Sequence, residues 1–231
     1  MKTENKRFFE EARAEKCEDR FLIRLDDIII RTPARADLTL PTAALAQAIA
    51  AEWNAQGAQI DPRTMPLTRL ANVSIDRTPT ARGDLIAMIA QHGGTDLLCH
   101  RAAAPAALVK RQSEVWDPLL AWALDSIGFS PSVVIGVVAA ANDATPLTCA
   151  TEALDDFSLT ALAHAVALSG SAILGFALLR GHLDGEAAFL AAHVDELHQL
   201  DAWGEDGEAR ARLEARRAEF HALARFAAAL A

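Results

Sequence analysis

The sequence predicts an α+β fold, with a small antiparallel β-rich N-terminal domain over residues 1–60 and a larger, mainly α-helical domain over residues 61–231. Three observations predict it. Phe21, Ile23 and Leu25 alternate with Leu22, Arg24 and Asp26, the period-two rhythm of a strand. From Pro41 the period lengthens, and Leu45, Ile49 and Trp53 fall four apart on one helical face. Residues 159–179 contain no Lys, Arg, Asp or Glu, which suits a helix at the centre of a core.

The elements follow in order. Asp26-Asp27 supplies a turn, and residues 28–31 and 38–40 add two short extended pieces with Pro33 between them. Thr42 is placed to cap the first helix, and Gly57 stops it. Asp61-Pro62 is a cap followed by a first-turn proline, and Leu67, Leu70, Ala71 and Ser74 continue on a helical period. Thr78-Pro79 opens a further helix that Gly93-Gly94 ends. Residues 97–100 are short and extended. A long helix runs over about residues 105–127, and Pro118 must kink it or restart it with Asp117 as the new cap. Residues 133–141, apolar throughout and β-branched at the start, read as a buried strand. Residues 158–180 read as one core helix. Asp184 caps a helix ending at Gly204, and Asp206 caps the last one. That last helix carries the stripe Leu213, Phe220, Leu223, Ala227 and Leu230, with Glu208 in register with Arg212.

Composition narrows the function classes. The chain has 231 residues, 52% of them hydrophobic, which supplies a core and excludes intrinsic disorder. Its net charge is −9 and no cluster of Lys and Arg stands out, so nucleic acid is not an expected partner. Residues 181–209 hold eight acidic residues and no Lys or Arg. Such a segment either attracts a basic surface or is a solvated helical face. Cys17, Cys99 and Cys149 are odd in number and lack CxxC spacing, which points to free thiols in a reducing compartment. Residues 1–15 mix Lys, Arg and Glu without an apolar core, so no secretory signal is read there and a bacterial cytoplasm is the expected home.

Residues 159–179 are long enough to span a bilayer, and Ala163, Ala167, Ser171 and Gly175 form a small-residue stripe that a membrane helix could use. No basic loop or aromatic belt flanks the run, and a buried core helix is the preferred reading.

Catalytic patterns are sparse. Neither a phosphate loop nor a GxGxxG follows a strand. His193 and His198 stand five apart, where a helical zinc pair needs four, so no metal is expected. No GxSxG is present, and Cys99 beside His100 would face the opposite side of a strand. Asp155-Asp156 and Glu205-Asp206 lie at helix starts, where acids favour the helix dipole. Four tryptophans, Trp53, Trp116, Trp122 and Trp203, sit on helical stripes or helix ends as core residues or partner anchors. An enzyme of unknown class and a membrane-associated structural protein stay open as alternatives to a binding protein.

Several stretches carry a resemblance. They are Leu40-Pro41-Thr42 leading to Ala51-Glu52-Trp53, and Thr64-Met65-Pro66-Leu67-Thr68-Arg69-Leu70-Ala71-Asn72. Further on come Leu97-Leu98-Cys99-His100-Arg101-Ala102, Arg111-Gln112 with Trp116-Asp117-Pro118-Leu119-Leu120, and Asp195-Glu196 with Gln199 and Trp203-Gly204-Glu205-Asp206. Together they resemble the ATP synthase assembly factor 2 family from about Lys6 onward. The resemblance implies a chaperone that binds the free alpha subunit of the F1 sector and prevents its aggregation before pairing with beta, with no nucleotide, metal or other cofactor. It also implies a small β-containing N-terminal domain, a helical C-terminal domain and a functional acid late in the helical region. Glu205, Asp206 and Glu208 are the candidates for that acid. Trp53 and Trp203 are candidate anchors for the partner, and Arg69 in the Met65–Asn72 motif is a further candidate contact.

Overall fold

The computed structural model describes residues 6–136, 138, 142–203 and 207–231, and it shows a small antiparallel sheet packed on a mainly helical body. The sheet is built around β2 (Arg20–Leu25). On one edge β1 (Ala12–Cys17) pairs with it from Ala12↔Leu25 to Cys17↔Arg20. The other edge is shared by β3 (Ile28–Ile29), opposite Arg24 and Leu25, and β4 (Thr39–Leu40), opposite Phe21 and Leu22. Ile23 and Leu25 are buried as their alternation predicts. Asp26 adopts φ 51° in the expected turn, and the Glu11 and Glu10 N–H groups hold its carboxyl below the usual carboxylate range.

β1 carries only the short alternation of Ala12 and Ala14 with Arg13 and Glu15, too weak to bound a strand by itself. Its pairing with β2 is supplemented by Asn54, whose side chain accepts from the Ala12 N–H at 2.7 Å and donates to the Ala12 carbonyl at 2.8 Å. That two-point contact satisfies backbone groups an edge strand would leave open.

α1 (Ala43–Asn54) begins where Thr42 Oγ1 accepts from the Leu45 N–H. The helix expected from Asp61 is divided. A 3-10 turn over Pro62–Thr64 is capped by Asp61, and α2 (Pro66–Asp76) starts afresh. Pro66 lacks the N–H that would continue the first turn, and it pushes Met65 out of helical geometry. α3 (Thr78–Gly94) follows as expected. Residues 97–100 are not one extended piece. Leu97–Cys99 form a 3-10 turn because Asp96 accepts from the Leu98 N–H, and β5 (His100–Arg101) comes after it.

α4 (Ala106–Ile127) runs unbroken through Pro118. Asp117 caps nothing and instead binds Arg101 at 2.8 Å, a buried guanidinium lying over the Trp116 ring. The predicted buried strand at residues 133–141 is corrected. Among the described residues of this stretch only β6 (Val134–Ile135) pairs, parallel to β5, and Val133, Ile135 and Val138 are 49, 72 and 77% exposed. Residues 137 and 139–141 lie outside the described part.

The single core helix at residues 158–180 is also corrected. After α5 (Thr145–Glu152) come α6 (Asp156–Ser169) and α7 (Ala172–Leu179). Gly170, at φ 71°, closes the first, and Ser171 accepts from the Leu174 N–H to open the second. The two helices double back on each other. A Cβ on Gly175 would stand 2.8 Å from Val166 Cγ2, so the small residue admits α6 rather than a membrane partner. Among the described residues no helix is long and apolar enough to cross a membrane.

The helix expected over residues 184–204 breaks at His193 into α8 (Gly185–Ala192) and α9 (Val194–Trp203). His193 is buried, with its Nδ1 2.9 Å from the Phe189 carbonyl and its ring stacked on Phe189. α10 (Gly207–Leu230) closes the fold, its Phe220, Leu223 and Ala227 buried as the stripe predicts.

Two hydrophobic clusters result. One joins Ile23, Leu40, Ile49 and Leu67 to Phe220 and Phe226. The other gathers Ile89, Trp116, Phe129, Leu162 and Phe176. α6 serves both, giving Phe157, Ala161 and Ala165 to the first and Leu159, Leu162 and Val166 to the second. A helix buried on opposite faces must be apolar all round, which accounts for its lack of charge after the first turn.

Candidate partner-binding surface

Trp53 and Arg69 come together across one cleft of about 520 Å³, although they lie on different helices. Trp53, near the end of α1, is half-buried and meets the Phe9 ring edge-on at 5.8 Å. Among the described residues its indole N–H has no hydrogen-bond partner, and neither does the Oδ1 of Asn72, a second residue of the cleft lining. Arg69 is exposed on α2 and makes no ion pair among the described residues. Phe8, 62% exposed, stands at the mouth, and Met65 lies in the wall.

α2 holds its position through Glu52. This buried carboxylate reaches from α1 to accept from the Leu67 N–H at 2.8 Å and from the Thr68 N–H and hydroxyl at 2.9 Å. The charge thereby meets the positive end of the helix dipole. Arg69 also borders a second groove of about 540 Å³, where Leu70 of α2, Leu168 of α6 and Ala218 and Leu223 of α10 meet.

The late candidates are elsewhere. Glu208 is exposed in the first turn of α10, and the next residue, Ala209, helps line a recess of about 360 Å³ with Glu196 and Leu200 of α9 and Arg212 and Arg216 of α10. The Trp203 side chain, Glu205 and Asp206 lie outside the described residues.

The acidic segment is less free than its sequence suggests. Asp184 caps α8 through the Ala187 N–H, Glu186 pairs with Arg217 at 3.3 Å, and Asp201 pairs with Arg111 at 2.9 Å. Asp195 accepts from the buried Gln112 amide at 2.7 Å. Basic residues of α4 and α10 therefore answer a stretch that has none of its own. Sequence reasoning also missed the exposed Val133, Ile135 and Val138 and the Asn72 Oδ1, which has no partner among the described residues. β-branched runs signal burial by default, and an unmet hydrogen bond has no signature in a sequence.

The remaining reactive groups have structural settings. Burial pushes the Cys99 thiol up to about 12, away from the thiolate a nucleophile needs. Burial likewise raises Asp96 to about 6, while it accepts from Ser171 Oγ at 2.7 Å and the Ile173 N–H at 3.1 Å at the start of α7. No group of three or more His, Cys, Asp or Glu among the described residues is placed to hold a metal ion.

An α+β scaffold with open apolar clefts, basic and acidic rims and partnerless polar atoms in one wall is that of a protein-binding protein. The family model described as ATP12 chaperone protein matches residues 6–124, and the chain belongs to that family. It is a chaperone. The crystal structure of Atp12 from Paracoccus denitrificans is 40% identical, with a TM-score of 0.92 over 98% of this chain and 99% of that one. A point mutant of the same protein matches equally, at 40% identity and a TM-score of 0.92 over 98% of each chain. The Atu1473 protein of Agrobacterium tumefaciens is 35% identical, with a TM-score of 0.91 over 98% of this chain and 86% of that one.

Proposed function

We propose that this chaperone binds the free alpha subunit of the ATP synthase F1 sector and keeps it from aggregating until beta pairs with it. The observation that carries the reading is likeness over the whole chain to a bacterial Atp12, on a fold whose open surfaces suit a polypeptide. A free subunit exposes apolar area meant for its neighbour, and such area aggregates unless covered. The chain does this without catalysis, nucleotide or metal, in the bacterial cytoplasm. Binding must be moderate in strength, because beta has to displace the chaperone.

A tagged pull-down from the native host tests this. Recovery of F1 alpha without a matching amount of beta is the expected result. Recovery of no ATP synthase subunit, in cells making new enzyme, would overturn the alpha assignment.

A further inference from the structure

The two partnerless atoms in the Trp53 cleft are of opposite kind. The indole N–H of Trp53 can only donate, and the Asn72 Oδ1 can only accept. A buried polar atom without a partner is destabilising until something supplies the bond. An extended polypeptide brings both complements, a free carbonyl and a free N–H in each residue, whereas a helix has already used them. We propose that this cleft takes an extended segment of the client polypeptide in which an acidic residue stands beside an apolar one. The inference rests on the chaperone reading above, and it names the chemistry the cleft recognises.

Charge selects the acid. Lys6, Arg31 and Arg69 line the cleft and, among the described residues, no acidic residue does, in a chain whose net charge is −9. Asp37 answers Arg31 at 3.3 Å, while Lys6 and Arg69 make no ion pair among the described residues. A carboxylate entering there meets two uncommitted cations. The apolar neighbour packs on Phe8 and Met65. Simple strand addition to the wall is closed, because Ile30 already bonds to Ile23 and Leu38, Thr32 bonds to Ala36, and Pro33 has no N–H. Recognition therefore falls to the side chains of Trp53, Asn72 and Arg69.

Two fluorescein-labelled dodecapeptides test the proposal, sharing alternate leucines and valines and carrying either glutamate or lysine between them. Each is titrated into the full chain and into Arg69→Glu and Asn72→Ala, with binding followed by anisotropy and folding by circular dichroism. The expected result is saturable binding of the glutamate peptide at least ten-fold tighter than the lysine peptide. Asn72→Ala should weaken it several-fold, and Arg69→Glu should erase or reverse the preference. Equal affinity for both peptides, no binding of either, or a preference untouched by Arg69→Glu in a folded variant overturns the proposal. So does a chain that dimerises through this cleft and becomes monomeric in Arg69→Glu. No alpha subunit is needed, so failure here leaves the alpha assignment standing, and a failed pull-down leaves the cleft chemistry standing.

Discussion

Glu52 caps a helix that begins at residue 66. Both of its carboxylate oxygens are spent on Leu67 and Thr68, while Met65, the residue at the cap position of α2, makes no side-chain cap of its own. A buried anion with three donors is strongly held, and its loss strands those donors. Glu52→Ala should lower stability by about 3 kcal/mol in urea unfolding, and Glu52→Gln by about half that, since an amide keeps only one acceptor oxygen. A loss below about 1 kcal/mol for the alanine variant would remove the capping role.

Gly93, Gly175 and Gly185 mark where helices touch, and the last two make a graded comparison. At Gly185 a Cβ would stand 2.7 Å from the His221 Cα, which is backbone and cannot swing aside. Gly175 faces Val166 Cγ2 at 2.8 Å, a side-chain tip with more freedom. Alanine should therefore cost about 2–3 kcal/mol at Gly185 and less at Gly175, after the gain of about 1 kcal/mol in helix propensity. Thermal melts of the two variants check the order, and a more stable Gly185→Ala protein would contradict it.

Asp96 gives stability a pH dependence of predictable sign. Burial raises its pKa from 3.8 to about 6 in the folded chain, so the native state binds this proton more tightly than the unfolded one. The associated stability is complete below about pH 4 and is lost as pH rises through about 6, by roughly 3 kcal/mol. Unfolding free energies of the natural chain and Asp96→Asn, compared at pH 4.5 and 7, should differ by an amount that falls with pH. A constant difference would show that Asp96 titrates as an ordinary carboxylate.

The three thiols should separate by accessibility. Cys17 and Cys149 are exposed, and Cys99 is buried with its pKa pushed up to about 12. A disulfide exchange reagent should label two thiols in the native protein and the third only after denaturation. Rapid labelling of all three would mean that the 3-10 turn at Leu97–Cys99 opens readily.

Reversing the charge of Glu205, Asp206 and Glu208 together should slow association with the alpha subunit, and more so at low salt. Unchanged binding at low ionic strength would shift attention from the start of α10 to the Trp53 cleft.

Much of the fold could be read from period and punctuation. Thr42, Asp61 and Asp184 sit where caps were expected, and each accepts a backbone N–H bond in the first turn of its helix. The errors have a common cause. Ser169-Gly170-Ser171 and His193 interrupt apolar helices whose two halves share the same composition, so periodicity alone joins them. β1 owes its place to β2 and to Asn54, which is 42 residues from its contact at Ala12. Of the proposed cleft, the sequence singles out Trp53 and Arg69, while Asn72, one helical turn after Arg69, is noticed only because separate segments meet around it and its Oδ1 has no partner among the described residues.

The hydroxyl of Thr42, which opens the first helix, also donates to the carbonyl of Ala229 near the end of the last. Phe220, Phe226 and Ala227 fill the same cluster as Ile23 and Leu40. The strands made first therefore have no complete shelter until synthesis has passed residue 227. A protein that guards another's unfinished surface spends its own early life with one, and any truncation within α10 should turn the guardian into a client.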